Sequence, residues 1–352
     1  MWLYLLTRIG LMVPTLIGVL TLTFVITQFV PGGPVDHAMA QLDAQDARSG
    51  TDGGGGGGWN YSGRQGIDRK QIDQLTALYG FDKPPLERYG HMLSHFLRFD
   101  LGNSYFRNQS VWSLIREKLV VSVSLGVWVF VLTYLVSVPL GVAKAVRSGT
   151  RFDLATSLII LTAYAVPGFV LGVLLIVVFG GGSFLDIFPL RGLVSENWHE
   201  LGWGARISDY LWHAALPVTA AVVGNFALKT LLTRNTFIDE LGKQYVLTAR
   251  AKGLSEGRVL WKHVFRNALL PLVTGFPVTF IAAFFTGSLL IETLFSLDGL
   301  GLLSFESINS RDYPVVLGSL YLFTLIGLLI KLLGDIAYVL VDPRIRFDAR
   351  DA

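Results

Sequence analysis

Long apolar runs separated by polar stretches dominate the pattern of this chain. Six such runs lie at roughly residues 9–30, 119–143, 154–180, 215–232, 272–291 and 314–341. Each run is about as long as a helix must be to cross the hydrocarbon core of a bilayer. The pattern therefore predicts an all-α membrane protein with six transmembrane helices.

The polar stretches predict how the chain is divided. Residues 1–30 hold the first transmembrane helix, and residues 31–116 form a long external region. A glycine run at 53–58 lies in that region and is typical of a flexible insertion. The other five helices form a core at 117–341, and a short tail follows at 342–352.

Composition supports a membrane protein and excludes several other classes. Apolar residues make up 52% of the chain, charged residues only 16%, and the mean hydropathy is +0.52. The chain has no cysteine, which excludes disulfides and thiolate metal sites. Its basic residues cluster beside the apolar runs and form no single stripe, so nucleic-acid binding is not expected.

The distribution of basic residues predicts the orientation in the membrane. Lys144, Arg147 and Arg151 lie in the short connection between the second and third runs, and a basic loop at 235–271 follows the fourth run. Short loops rich in lysine and arginine remain in the cytoplasm. This rule places the loop at 235–271 and both termini in the cytoplasm.

The most unusual polar stretch is QYVLTARAKGLSEGRVLWKHVFRNALLP, at 244–271. Its charges and side-chain donors would be unsatisfied in hydrocarbon, so it is expected in water at the membrane face. Gly253 is placed to end a first helix, because glycine adopts the left-handed conformation without strain. Ser255 is a candidate N-cap of a second helix, and Glu256 would then face the positive start of that helix.

Two interpretations of this stretch follow from its residues alone. Tyr245, Ala249 and Lys252 are predicted to share one stripe of the first helix. The small residues Ala249, Ala251 and Gly253 would let a partner surface approach the backbone closely. Alternatively, the stretch is a basic amphipathic helix that rests on lipid headgroups.

A resemblance to a known family favours the first interpretation. The motif TARAKGLSEGRV, followed by RNALLP, resembles the coupling loop of permeases in ABC transporters of the dipeptide and oligopeptide type. In that family the loop docks into a groove of a separate ATPase subunit. The resemblance implies an ATPase-coupling site at Tyr245, Thr248, Ala249, Arg250, Ala251, Lys252 and Gly253. Gln244 departs from the family, which has an aspartate just before the Tyr-Val pair.

Further motifs extend the resemblance over most of the chain, apart from an insertion near residues 37–67. They are VPGGPV, AVPGF, IETLFSLDGLGLL, RDYP and DPRIRF. Asp298 stands where the family has a proline. The long insertion and the segment FRNQSVW resemble the Yej-type branch, which is linked to oligopeptides and to the peptide antibiotic microcin C.

The resemblance also implies a cellular setting and partners. It implies a type I importer permease in the bacterial inner membrane, forming half of a translocation pathway. Its partners would be a second homologous permease, two ATPase subunits and a periplasmic peptide-binding protein. No phosphate-binding GxxxxGK[ST] motif occurs in the chain, so ATP hydrolysis is expected in the partner chains and no cofactor is expected here.

Glu292 has two possible roles. It lies at the outer edge of the fifth apolar run, where a carboxylate is costly unless it is paired or faces water. It is either a residue of the translocation path or gate, or a buried cap of a helix in the bundle. The sequence leaves both roles open.

Two other groups also have alternative interpretations. His91 and His95 are four residues apart and could bind a metal, but no third ligand lies at a suitable spacing. A solvated or packed helix face is therefore expected there. Trp198, Trp203 and Trp212 are most simply residues of the outer interface belt, and stacking on a peptide substrate is the alternative.

Two functions of other classes compete with the importer. Lys331 and Asp335 share a helix face in the sixth run. A proton relay would need such a carboxylate, so this pair and Glu292 support a proton-coupled secondary transporter of peptides, although a structural ion pair is the simpler interpretation. A membrane scaffold is the third possibility. The secondary transporter would leave the motif in the loop at 235–271 unexplained, and a scaffold would need no aqueous path, so that the charges in its spans would be purely structural.

Overall fold

The computed structural model describes residues 2–30, 82–180, 184–277, 279–280 and 289–341, with side chains between residues 5 and 336. The predicted glycine-rich insertion and the tail at 342–352 lie outside the described residues. Within them, the prediction of an all-α protein is confirmed. Every regular element there is a helix, and extended pairing is limited to one bridge between Asn103 and Ser110.

Five of the six predicted spans have a counterpart among the described residues. Four helices are long and apolar enough to cross a membrane, namely Leu5–Phe29, Val111–Val146, Trp203–Leu241 and Tyr313–Ile336. A bent pair, Arg151–Ala165 with Gly168–Gly180, would form one more span. The other predicted span, 272–291, includes residues 281–288, which lie outside the described residues.

Thirteen α-helices occur among the described residues. In chain order they are α1 (Trp2–Phe29), α2 (Pro85–Phe96), α3 (Val111–Val146), α4 (Arg151–Ala165), α5 (Gly168–Leu175), α6 (Trp203–Leu241), α7 (Gln244–Ala251), α8 (Glu256–Arg258), α9 (Phe265–Ala268), α10 (Leu270–Thr274), α11 (Leu289–Leu294), α12 (Leu300–Ser310) and α13 (Tyr313–Val341). Wider π turns extend α5 at Ile176–Gly180 and α8 at Val259–Val264. A short 3₁₀ helix lies at Trp198–Glu200.

The chain turns sharply between α4 and α5, where the sequence predicts a kink at Pro167. Helix α4 ends at Ala165, Pro167 stands at the N-cap of α5, and the two helices are bent by 90°. Proline causes this break because it has no N–H to donate and its ring clashes with the preceding turn. The kink is confirmed. At Gly168 a Cβ would lie only 2.9 Å from the carbonyl oxygen of Ala220, so glycine lets α5 lie close to α6.

The chain divides into two compact units. One unit contains Met1–Leu6, Glu117–Leu303 and Ile326–Ala352, and the other contains Thr7–Arg116 and Ser304–Leu325. We call them the core unit and the outer-segment unit. The core unit holds the loop predicted to couple to an ATPase, whereas the outer-segment unit holds the described part of the predicted external region.

Asp312 connects two parts of the outer-segment unit. Its side chain is almost fully buried, and it accepts hydrogen bonds from the Ser104 hydroxyl and from the backbone N–H of Tyr105, the latter at 3.0 Å. Burial raises the pKa of this carboxyl, since desolvation disfavours its charged form. The two hydrogen bonds hold the loop that precedes α3 against the start of α13.

In the core unit, α3 and α6 pack at very short range. The Ser137 hydroxyl of α3 donates a hydrogen bond to the carbonyl oxygen of Phe226 in α6, at 2.9 Å. One turn further along α3, a Cβ on Gly141 would lie 2.5 Å from the Cβ of Thr233. Only glycine fits at that point, because any side chain would push the two helices apart.

A buried charge cluster joins three helices of the core unit. The carboxylate of Asp153 accepts hydrogen bonds from the Arg234 guanidinium at 2.8 and 2.6 Å and lies 3.1 Å from the Lys144 ammonium. The Lys144 side chain is fully buried and also donates to the hydroxyls of Thr156 and Ser157. Because α3, α4 and α6 each supply a charge, the cluster holds their ends in one arrangement. We call Lys144, Asp153 and Arg234 the charge triad.

Candidate functional site

The loop after α6 contains the predicted helix–break–helix. Helix α7 ends at Ala251, and Gly253 follows with φ +78°, the left-handed conformation expected for it. The N–H of Gly253 donates to the carbonyl oxygen of Arg250 at 2.9 Å, and the N–H of Leu254 donates to that of Ala249 at 3.3 Å. These bonds satisfy carbonyl groups at the end of the helix. The predicted break at Gly253 is confirmed.

The start of the second helix differs from the prediction in its contacts. Ser255 stands at the N-cap of α8, but its side chain makes no capping hydrogen bond. The carboxylate of Glu256 binds the Arg250 guanidinium through two hydrogen bonds, at 2.8 and 2.9 Å. These bonds to Arg250 lower the pKa of the Glu256 carboxyl. Glu256 therefore links α7 to α8 across the turn.

Helix α7 has one buried face and one exposed face. Val246 and Ala249 lie in a cluster of buried residues, whose other members are Val142, Ala145, Phe237, Val259, Val264 and Ala268. Leu247, Arg250 and Lys252 lie on the exposed side. The apolar face of α7 is thus covered by the core unit itself, which argues against the interpretation of a helix resting on lipid headgroups.

The three residues predicted to share one stripe of the first helix, Tyr245, Ala249 and Lys252, differ in their exposure. Ala249 is only 6% exposed and packs inside the core unit, while Lys252 is exposed. Lys252 is the C-cap residue, where the chain leaves the helical path, so spacing along the helix no longer predicts its direction. Of the small residues, Ala251 and Gly253 are exposed and remain available to a partner surface.

Tyr245 connects the loop to the end of α6. Its hydroxyl donates a hydrogen bond to Glu240 at 2.7 Å. Burial raises the pKa of this phenol, since the phenolate would lose its solvation. Tyr245 therefore positions α7 and is only partly accessible. The exposed members of the predicted coupling site are Thr248, Arg250, Ala251, Lys252 and Gly253.

Glu292 belongs to α11, and its side chain is fully buried against the start of α12. Its carboxylate accepts hydrogen bonds from the Ser122 hydroxyl at 2.9 Å and from the N–H of Leu302 at 2.8 Å. At Gly299 a Cβ would lie 2.5 Å from the carboxylate, so the Gly-Leu-Gly sequence leaves room for the acid. A carboxylate at a helix N-terminus satisfies backbone donors and the helix dipole. The contacts favour the helix-cap role that the sequence left open.

A cavity of about 460 Å³ in the core unit was not predicted from the sequence. Two helical stripes line it, with members three or four residues apart. Helix α3 supplies Ser122, Leu125, Gly126, Val129, Phe130 and Thr133, and helix α6 supplies Pro217, Ala220, Ala221, Gly224, Asn225 and Lys229. Small and polar residues at helical spacing are the signal that could have indicated it.

The two histidines lie beside a second cavity, of about 850 Å³, in the outer-segment unit. Their rings are 5.7 Å apart, and Nδ1 of His95 lies 2.8 Å from a carboxylate oxygen of Asp100. Asp100 also accepts a hydrogen bond from the N–H of Gly102. This bond and the one with His95 lower the pKa of the Asp100 carboxyl. Among the described residues, no group of three potential metal ligands occurs.

The three tryptophans lie in different surroundings. Trp203 is 80% exposed, whereas the Trp212 ring stacks on Phe188 with centroids 4.3 Å apart. The Trp198 ring lies against the guanidinium of Arg206, 4.9 Å from its centroid. These contacts do not decide between the interface role and the stacking role of the tryptophans. The ion pair between Lys331 and Asp335 of α13 likewise stays a prediction.

Comparison with known proteins identifies similar sequences over the whole chain. A profile of the family described as "Binding-protein-dependent transport system inner membrane component" matches residues 137–347. The peptidoglycan transport system permease protein YejB of Agrobacterium fabrum is 53% identical over 360 residues, which cover 99% of each chain. The inner membrane ABC transporter permease protein YejB of Escherichia coli O157:H7 is 53% identical over 362 residues, again 99% of each.

More distant matches include a transporter of the dipeptide type and a solved structure. The dipeptide transport system permease protein DppB of Escherichia coli K12 is 33% identical over 359 residues, covering 97% of this chain and 98% of the relative. An inward-facing structure of the MetNI methionine ABC transporter is 18% identical, with a TM-score of 0.47. It covers 65% of this chain and 97% of its own.

Proposed function

This chain belongs to the family of binding-protein-dependent transport system inner membrane components, and we propose that it is one of two homologous permease subunits in an ATP-driven peptide importer. Members of this family are membrane components without enzymatic activity. The chain is a multi-pass protein of the inner membrane. ATP is hydrolysed in separate ATPase chains, and a substrate-binding protein delivers the cargo.

The observation that carries the proposal is the division of α7 into two faces. Val246 and Ala249 attach the helix to α3 and α6, whereas Arg250, Ala251 and Lys252 face outward. A helix held in this way moves with the transmembrane helices on which it packs. We therefore place the ATPase subunit on the exposed face, so that its closure on ATP reaches the membrane helices as alternating access.

The charge triad supports the transmission of this movement. It joins α3, α4 and α6 close to where α7 is attached, through bonds of 2.6 to 3.1 Å. Buried charged pairs of this kind resist local separation because each would leave an unpaired charge. The ends of the three helices would therefore move together when α7 is displaced.

The remaining partners and the orientation belong to the proposal. A second homologous permease completes the pathway, two ATPase subunits bind on the cytoplasmic side, and both termini lie in the cytoplasm. The substrate-binding protein docks on the outer face, at the region 31–116. The relatives named for dipeptide, oligopeptide and peptidoglycan transport support peptides as the cargo, with fragments of peptidoglycan among those to be tested first.

The proposal is tested by purification from the native membrane and by transport. The chain is extracted in mild detergent with the proteins bound to it, and peptide uptake is measured in proteoliposomes with and without ATP. The test variant is Gly253→Ala, which forces a side chain into the left-handed conformation at the turn. The control is Gly192→Ala, since Gly192 has φ +79° and lies outside both the coupling loop and the charge triad.

Opposite results separate the importer from its competitors. We expect two ATPase chains and a second permease to copurify, with uptake that requires ATP. Gly253→Ala should reduce both ATPase binding and uptake, and Gly192→Ala should retain them. A chain that purifies alone and moves peptide on a proton gradient without ATP would overturn the proposal.

A further inference from the structure

The cavity between α3 and α6 has one charged residue among its described lining residues, Lys229. The rest of the lining is apolar, small or uncharged, as in Gly126, Thr133, Gly224 and Asn225. The Lys229 side chain is half-buried. It lies in α6, one of the helices long and apolar enough to cross a membrane.

Lys229 differs from the other buried basic residues in having no carboxylate partner within the described part of the chain. Its ammonium lies 5.5 Å from the ring centroid of Tyr134, a cation–π contact. Lys144 and Arg234, by contrast, share the carboxylate of Asp153, and Lys118 contacts Glu117 and Asp298. Among the described residues, the other three basic side chains each have an acid partner, whereas the cation in the cavity has none.

An unpaired cation in a membrane-spanning helix is costly, so such residues generally face a water-filled cavity and serve a ligand or ion. The aromatic ring of Tyr134 offsets part of this cost but supplies no negative charge. The cavity of about 460 Å³ beside the Lys229 ammonium leaves room for a ligand. The surroundings can thus admit an anionic group.

A second polar group lines the same cavity without a partner. The hydroxyl of Thr133 is buried, and no hydrogen-bond partner lies within reach of it among the described residues. A buried hydroxyl without a partner loses its hydrogen bonds to water. A ligand with both a charged carboxylate and backbone amide groups would satisfy the two side chains at once.

We propose that Lys229 binds a carboxylate of the peptide while it passes through the permease, and thereby favours peptides that carry one. The inference rests on the proposed function and adds a specificity-determining residue to it. A C-terminal carboxylate and an acidic side chain present the same chemistry. A single ammonium beside an aromatic ring provides one contact, which suits a site that must release its cargo.

The test uses the complete complex in proteoliposomes and pairs of peptides. One neutral tripeptide is supplied with a free C-terminal carboxylate and as its C-terminal amide, and a third version is an amide with one internal glutamate. The variants are Lys229→Met and Lys229→Arg. The control is Arg151→Met, which removes an exposed basic residue from α4 outside the cavity lining. Each rate is divided by the wild-type rate for the same peptide, which removes the preference of the binding protein.

We expect Lys229→Met to lower uptake of the free-acid peptide about tenfold, the effect of one lost charge-assisted contact. Uptake of the neutral amide should stay near the wild-type rate, and Lys229→Arg should retain both. If the amide with glutamate is also affected, any carboxylate is bound. If it is not, the terminal carboxylate is the ligand.

Two results would overturn the inference. An equal loss for free-acid and amide peptides in Lys229→Met would indicate a structural role, and no loss for either would indicate that the cavity cation does not meet the substrate. Failure of the proposed function has a different signature. In that case the wild-type complex would take up none of the peptides with ATP.

Discussion

Arg250 and Glu256 form a two-point ion pair across the turn at Gly253, with N–O distances of 2.8 and 2.9 Å. The pair closes the turn between α7 and α8 on its exposed side. The guanidinium of Arg250 is therefore partly used within the loop, although the resemblance places Arg250 in the ATPase-coupling site. Its first role is to shape the surface that a partner meets.

This pair predicts coupled effects on ATPase binding. Arg250→Ala and Glu256→Ala should each weaken binding of the ATPase subunit, because either one releases the turn. The double variant should bind the ATPase no more weakly than the single variants do, since all of them lose the same contact. A binding titration of the purified permease with its ATPase measures all three. Additive losses would show that Arg250 and Glu256 act on the partner separately.

The pH dependence of the pair has a definite sign. The folded-state pKa of Glu256 is lowered by Arg250, so the contribution of the pair is present above the ordinary carboxyl pKa and is lost as the pH falls through the lowered value. ATPase binding should therefore be unaffected by this carboxyl around neutral pH. A loss of binding on mild acidification that disappears in Glu256→Gln would contradict this sign.

Two alanines of α7 should respond in opposite ways to enlargement. Ala249→Leu should overpack the buried cluster and lower the free energy of unfolding by about 1–3 kcal/mol. Ala251→Leu, two residues further on and exposed, should leave stability near wild type and weaken ATPase binding. Thermal unfolding in detergent and the binding titration separate the two. Equal stability of both variants would contradict the burial of Ala249.

The contact between Gly299 and Glu292 predicts a stability defect. Gly299→Ala places a Cβ 2.5 Å from the buried carboxylate and should destabilise the permease by about 1–3 kcal/mol. Gly327→Ala is the matched control, because it lies in α13 with no atom within 4 Å of the added carbon. Thermal unfolding of the two purified variants gives the comparison.

Glu292→Gln then distinguishes the cap from a gate. The amide oxygen can still accept one backbone hydrogen bond, so peptide uptake per folded complex should stay close to wild type. Uptake is measured in proteoliposomes after the amount of folded complex has been equalised. A variant that is as stable as wild type but transports no peptide would establish the gate role instead.

Removal of the central acid of the charge triad, Asp153, should strongly lower the stability of the permease. Asp153→Asn leaves buried Lys144 without its counter-charge, which typically costs about 3–5 kcal/mol of stability. Adding Lys144→Met should restore part of the loss, because the unpaired charge is then removed. Asp186→Asn, at an exposed position, is the control and should change stability by less than about 0.5 kcal/mol. Thermal unfolding of the purified variants measures these changes. If the double variant regained none of the lost stability, the pairing of Asp153 with Lys144 would be contradicted.

Some of the site could be predicted from residue types because the cause is local. Glycine alone adopts φ near +78° without strain, so the position of the break at Gly253 followed from the sequence. The bend at Pro167 followed in the same way from the geometry of proline. The helical spans followed from the length of the apolar runs, since a bilayer requires about 20 residues per crossing.

Other features depend on which surfaces meet. Helical spacing groups Tyr245 with Ala249, but it cannot show that Ala249 belongs to the same buried cluster as Phe237. The ion pair of Arg250 with Glu256 spans six residues across a turn, so no helical periodicity indicates it. Glu292 had two interpretations because its partner, Ser122, is 170 residues away in the sequence.

The sequence by itself determined that this is an all-helical membrane protein, that its basic loop breaks at Gly253, and that its motifs belong to a peptide-type permease. These conclusions depend on hydropathy, local backbone preference and motif identity, which act over short stretches of chain. The tertiary structure alone decided which face of α7 is buried, that the Glu292 carboxylate meets Ser122 and the N–H of Leu302, and that Lys229 lines a cavity with no acid beside it among the described residues. Those facts depend on contacts between distant residues, where packing and desolvation select one partner among many.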